Sequence, residues 1–249
     1  MSALRLEKKA AVLHIAMARP ERRNAFDAAL IEELAAAFAD VGDVRAVVLS
    51  GDGPSFSAGA DVEWMRSSVD LSYDENVADA LRLRAMLDAI DSCPAPVVGR
   101  VQGHALGGGC GLVACCDIAV AEPTAQFAFS EVKLGIVPAV ISPFALAKIG
   151  TTAARRYFVT GERFSATEAL RIGLIHEVTD DLDGAVERVV GELLSAGPSA
   201  ARAAKELARA PQSAEETAGR IAAHRTSQEG QEGLRAFLEK RSPGWRSHS

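Results

Sequence analysis

The sequence predicts an α/β fold with a parallel strand core, and three observations carry that prediction. Short β-branched segments such as AVLHIA (11–16) and the stretch 44–50 alternate with longer segments that have apolar residues at helical spacing. Glycine-rich turns follow the strands and run directly into helices, as strand–turn–helix units do. From Thr151 the chain changes character, becoming rich in Ala, Arg and Glu through Lys240 with only GLIHEVT resembling a strand. That last portion reads as helices packed on the core or on a neighbouring chain.

In chain order, the strand at 11–16 leads into a helix over Asp27–Asp40, with Asp27 placed as N-cap. The strand at 44–50 opens into the loop GDGPSFSAGAD, and a helix is expected to start near Val62. ADALRLRAMLDAI is a further helix, stopped by the Pro94 and Pro96 pair. PVVGRVQG is a buried strand feeding the glycine run Gly107–Gly109. GCGLVACCDIAVA starts as a helix and becomes a strand near Asp117, and AQFAFSEV alternates like a strand. No repeat, low-complexity tract or long linker divides the chain. Its 249 residues suit one large domain or one domain with a small appendage.

Composition removes several function classes. A net charge of −6 offers no attraction to nucleic acid or to an anionic membrane surface. The N-terminus lacks a signal-peptide apolar core, and no run reaches the roughly 18 apolar residues of a membrane span. A cytoplasmic protein is expected. Cys93, Cys110, Cys115 and Cys116 lie on apolar segments without zinc-ligand spacing, so they read as buried thiols and no metal site is expected. The histidines at 14, 104, 176, 224 and 248 are scattered, and His104, though near the glycines, reads as structural.

The glycine run is the chemical signal. Glycine lets backbone approach a ligand, and the first N–H groups of a helix have no partner within it. Such a site holds either a phosphate or an oxygen on which charge develops. A phosphate loop needs Lys-Ser/Thr after its glycines, whereas Gly109 is followed by Cys110 and Gly111, and the dinucleotide pattern fits poorly. A second loop, FSAGAD (56–61), also exposes N–H groups before a helix. Two donors converging on one developing oxyanion is the better reading.

RPERRNAFD, FSAGAD, GHALGGGCGLVACCDIAVA, FAFSEVKLGIVP and TGERFSATEALRIGLIHEV, in this order over residues 5–240, closely resemble the crotonase (enoyl-CoA hydratase/isomerase) superfamily. The resemblance implies a spiral of ββα units over residues 1–190, a helical trimerisation region over 191–249, and acyl-CoA thioesters as substrates. It implies a homotrimer or hexamer, with no cofactor beyond the coenzyme A that the substrate carries. It assigns the oxyanion donors to the N–H groups of Ala60 and Gly108.

It also assigns two acids in hydratases, and this chain has one of them. Glu131 matches the second, while Gly111 stands where the first would be. One carboxylate suffices to shift a double bond from the 3 to the 2 position, so a Δ3,Δ2-enoyl-CoA isomerase is one reading. A finer similarity to bacterial methylglutaconyl-CoA hydratases, in which Gly at that position belongs to the pattern, favours hydration of 3-methylglutaconyl-CoA or a branched relative. IVPAVISPF likewise departs from the Pro-Gly-x-Gly-Gly segment of short-chain hydratases. Asp61 and Asp117 read as anchors of backbone N–H groups rather than as acids.

For the coenzyme, the resemblance places Arg22 and Ala25 against the nucleotide and Ala58 to Asp61 against adenine and pantetheine. Phe237 and Lys240 would reach a neighbouring subunit's ligand. A glutaconyl tail, once buried, needs a cation, for which Arg66, Arg82, Arg84 and Lys133 are the candidates.

Overall fold

The computed structural model describes residues 2–209 and 212–246; His248 and the end of the expected C-terminal region lie outside them. The chain begins with β1 (Leu4–Lys9) and β2 (Val12–Met17), then α1 (Ala28–Ala39), β3 (Ala46–Gly51), α2 (Val62–Ser67) and α3 (Tyr73–Asp91). Next come β4 (Val97–Val101), β5 (His104–Leu106), α4 (Gly108–Cys115), β6 (Ile118–Ala121) and β7 (Gln126–Ala128). The remainder is α5 (Ser142–Thr160), β8 (Phe164–Ser165), α6 (Ala166–Arg171), β9 (Glu177–Val178) and the helices α7 (Leu182–Ser195), α8 (Pro198–Arg209), α9 (Ala214–Thr226) and α10 (Gln228–Leu238).

Strands β1-β2-β3-β4-β6-β9 form one sheet, and β5-β7-β8 a second, smaller one. From β2 to β9 the large sheet is parallel, as expected. Its edge differs from the expectation: β1, absent from the sequence reading, pairs antiparallel with β2. LRLEKK is mostly exposed charge, so it lacked an apolar run; charge on an edge strand also blocks pairing with another chain. The second sheet adds an antiparallel pair, β7 with β8.

One core fills the space between the sheets and helices. Phe26, Leu30, Leu34, Leu49, Phe56, Met86, Leu87, Phe127 and Phe129 are all fully or almost fully buried in it. A second cluster, Val48, Val98 and Val120 with Leu182 and Val186, covers the other sheet face with α7. The last helices dock mainly through polar contacts. Arg45 donates to the carbonyls of Leu194, Ala196 and Trp245, Lys205 pairs with Asp117 at 2.7 Å, and Arg209 pairs with Asp91. Neither α8 nor α9 buries a residue.

Candidate active site

Both glycine-bearing loops end against each other because β5 lies beside them. Ser57 N–H donates to His104 O, and Leu106 N–H donates to Ser57 O, so the FSAGAD loop is stitched to the strand before α4. Gly59, at φ +87, passes so near that a Cβ there would lie 2.6 Å from Leu106 O and 3.6 Å from Gly108 N. Ala60 is held on its other side by Phe26 N–H to Gly59 O and Asp61 N–H to Phe26 O. That pairing leaves the Ala60 N–H itself without a protein partner among the described residues, as is the N–H of Gly108 at the first turn of α4. Both residues line one cavity.

Each glycine of the triplet has its own steric cause. Gly107 turns at φ +51, and a Cβ on it would lie 3.3 Å from Glu131 Oε1; on Gly108 it would strike the Phe26 ring at 2.5 Å, and on Gly109 the Ser57 carbonyl at 2.6 Å. The run therefore brings backbone against the acid, an aromatic ring and the neighbouring loop in three successive residues.

The cavity holds about 330 Å³. Ala58 to Ala60, Gly107 and Gly108 form one wall with Glu131; Trp64, Met65, Leu83 and the segment Ile136 to Ile141 form an apolar opposite side. Glu131 stands on a short 3-10 turn, Glu131–Leu134, rather than on the expected continuation of a strand. Strand β7 ends at Ala128, since only three residues pair with β5, and the turn then brings the carboxyl group back over Gly107. Glu131 Oε2 is buried with no hydrogen-bond partner among the described residues. Burial raises its pKa above the usual carboxylate value, against a smaller lowering by its own backbone N–H. An orphaned, desolvated carboxyl beside two free N–H groups is equipped to exchange a proton with a carbon acid.

The first acid's position is closed. A Cβ on Gly111 would lie 2.6 Å from Ile141 Cγ2 and 3.1 Å from Ile141 Cβ, and Gly111 is absent from the cavity wall. Ile141 fills the space beside Gly111, so the missing side chain opens no room for a substrate group there. Ile141 falls at the fourth residue of PAVIS, where the hydratase segment Pro-Gly-x-Gly-Gly carries Gly. The two departures noticed separately in the sequence meet in the structure, with Ile141 at the start of α5 set against Gly111 on α4.

The other expected residues divide. Ala58 lines the cavity. Asp61 is buried, caps α2 through Glu63 N–H, and takes ion pairs from Arg19 and Arg22. Burial opposes its ionisation, yet the bonds from Arg22 and Glu63 N–H hold its pKa below the ordinary value. Arg22, half-exposed, thus stands at Asp61 and not in the cavity wall. Ala25 is buried, its carbonyl taken by Arg19 at 2.8 Å. Asn24, which sequence reading passed over, organises this turn: at φ +53 it accepts from Arg19 N–H and donates to the carbonyls of Asp52 and Ser55. Phe237 is 81% exposed, and neither it nor Lys240 lines the cavity. Asp117 accepts Val97 N–H on the far side of α4.

None of the four cations considered for a distal carboxylate lines the cavity. Arg66 pairs with Glu63, Arg82 with Asp79 and Arg84 with Asp88. The lining residues missed in the sequence, Trp64, Met65, Asp79 and Ile141, have no motif of their own; only Ile141 left a signal, in the altered glycine segment. Among the described residues no group of three His, Cys, Asp or Glu side chains could hold a metal ion, and no helix is long and apolar enough to cross a membrane.

Fold and site together bring two backbone N–H groups without protein partners and one buried carboxyl group to the wall of a single cavity. The family model for enoyl-CoA hydratase/isomerase matches residues 7–248, and the chain belongs to that family. A crotonyl-CoA hydratase of Syntrophomonas wolfei is 34% identical over 96% of this chain and 95% of its own. An enoyl-CoA hydratase structure from Shewanella pealeana superposes with a TM-score of 0.92 at 40% identity, covering 98% of this chain and 96% of that one. Pseudomonas aeruginosa AtuE gives 0.94 at 36%, with 98% and 99% covered. The crotonase fold expected from the sequence is the one observed.

Proposed function

We propose that this enzyme adds water reversibly across the α,β double bond of a CoA thioester whose acyl group is neutral. The observation that carries the reading is the buried, unpartnered Glu131 carboxyl beside the free N–H groups of Ala60 and Gly108. Water bonds to the β-carbon and pushes the double-bond electrons onto the thioester oxygen, which accepts from both donors as it gains charge. The enolate takes its α-proton from the acid form of Glu131, and the carboxylate so formed takes up the proton that the added water gives off, so one group serves both steps. The CoA arrives with the substrate, and no separate cofactor takes part. A 3-methylglutaconyl tail would require a cation, and the cavity wall has none among the described residues, which favours a neutral acyl group.

A second reading, the Δ3,Δ2-isomerase, draws on the closed position at Gly111, since shuttling one proton between carbons needs no second acid. Incubation with crotonyl-CoA and with 3-hexenoyl-CoA, followed by absorbance of the conjugated thioester, separates the two. Loss of absorbance from crotonyl-CoA supports hydration; a gain from 3-hexenoyl-CoA with crotonyl-CoA unchanged supports isomerisation.

The pH profile offers a further check. Because burial raises the Glu131 pKa and hydration uses the acid form, kcat/KM for hydration is expected to fall as pH rises through a value above 4.5. Ionising a buried carboxyl also costs folding free energy, so stability declines over the same interval. A hydration rate that instead rises with pH through this range would mean that the carboxylate acts first as base.

Assembly and place belong to the same proposal. Leu207, Ile221, Leu234, Phe237 and Leu238 leave apolar surface exposed on α8 to α10, which a trimer or a pair of trimers would cover. Light scattering at micromolar concentration is expected to give at least the trimer mass; a monomer mass would defeat this. The four thiols are buried and unpaired, as suits a reducing, cytoplasmic setting.

A further inference from the structure

We infer that Asp79 sets the charge of the acyl groups the cavity accepts, turning away those that end in a carboxylate. The inference rests on the cavity being the acyl site and adds to that reading a residue that selects substrate. On α3, Asn76, Asp79, Ala80 and Leu83 follow one another at helical spacing and all line the cavity. Asp79 is the one among them that carries charge, and its side chain is only 14% exposed.

Its counter-ion stands on the wrong side to shield a ligand. Arg82 reaches Asp79 Oδ1 at 2.9 Å through a single nitrogen, and the arginine side chain is 53% exposed, on the solvent face of the helix. Oδ2 has no hydrogen-bond partner among the described residues. Among the described residues the rest of the lining contains no Lys, Arg or His, and its other carboxyl belongs to Glu131. Lys133 lies against Gly161, and Arg84 is turned onto Phe144. A third carboxylate on an acyl tail would therefore enter a space of about 330 Å³ that already holds two acids and offers no cation to receive it. Like charges a cavity's width apart, away from bulk water, repel strongly enough to cost roughly 10-fold or more in affinity. A methyl-ended tail meets Leu83, Trp64 and Ile141 instead.

Binding tests this without requiring turnover. Valeryl-CoA and glutaryl-CoA have the same five-carbon backbone, are saturated and differ in the terminal carboxylate. By titration calorimetry the wild-type protein is expected to bind glutaryl-CoA at least ~10-fold more weakly. Asp79→Asn is expected to shrink that gap to about 3-fold or less, because Asn keeps the volume and removes the charge. Arg82→Gln removes the outer cation and leaves Asp79 in place, so the gap should widen. Equal binding of the two esters by wild type, or a gap that survives Asp79→Asn, would overturn the inference. If the wild type bound neither ester, the acyl-CoA reading itself would fall first.

Discussion

Gly111→Glu is expected to destabilise the protein and to leave it without a working second acid. Its Cβ alone would lie 2.6 Å from Ile141 Cγ2 and 3.7 Å from Leu87 Cδ2, and both residues are buried, Ile141 at the start of α5. Overpacking of this kind costs about 1–3 kcal/mol, and an unpaired carboxylate pressed into an apolar corner adds a further penalty unless it takes up a proton. For a chain of this size the melting temperature should fall by roughly 2–4 °C for each kcal/mol lost. Ile141→Ala is the complementary change, opening a void where isoleucine stood. If the two positions form one packing unit, Gly111→Glu/Ile141→Ala is more stable than the sum of the single effects by ~1 kcal/mol or more. Thermal denaturation of all four proteins measures this. Additivity within about 0.5 kcal/mol would show that Ile141 does not fill the missing acid's place.

The same pair shows where sequence was informative and where it was not. Gly111 and PAVIS were both visible as departures, but their contact spans thirty residues of chain and no local spacing encodes it. By contrast, the FSAGAD loop and the glycine triplet were legible because a free N–H at a helix start needs small residues within a few positions, and those positions are adjacent in the chain. Helix signals of this local kind also held for α1: the Asp27 cap accepts Leu30 N–H as expected. Strand β1 failed for the opposite reason, since an edge strand with one apolar face and charge elsewhere carries little hydrophobic pattern. Glu131 stood out in the sequence, but the turn that carries it did not. The alternation of Phe127 and Phe129 continued past the point where β5 stops offering a pairing partner, so the sequence could not mark the turn that aims the carboxyl at Gly107. Asp79 had no signature at all, being one of several acids on a helix whose inward face is set by the packing of α3 against α1 and α4.

Glu131→Gln is expected to remove most turnover while preserving fold and ligand binding. The change keeps volume and hydrogen-bonding capacity but takes away the proton that the mechanism moves, so it separates chemistry from packing. General acid/base groups contribute typically about 10²–10⁴-fold, and the loss here should approach the upper value, because Ile141 closes the position from which a second acid would act. The effect should lie in kcat, with the affinity for a saturated acyl-CoA changed little. Stability should not suffer, for Oε2 has no hydrogen bond to lose and the wild-type carboxyl is already penalised by burial. The Gln variant is instead expected to be at least as stable near neutral pH and to lack the wild type's decline as pH rises through the Glu131 value. Rate measurements on crotonyl-CoA, paired with melting curves across pH, test both halves. Retention of more than about a tenth of wild-type kcat, well above what loss of such a group leaves, would transfer the proton step to another carboxyl, of which Asp79 is the other one in the cavity wall.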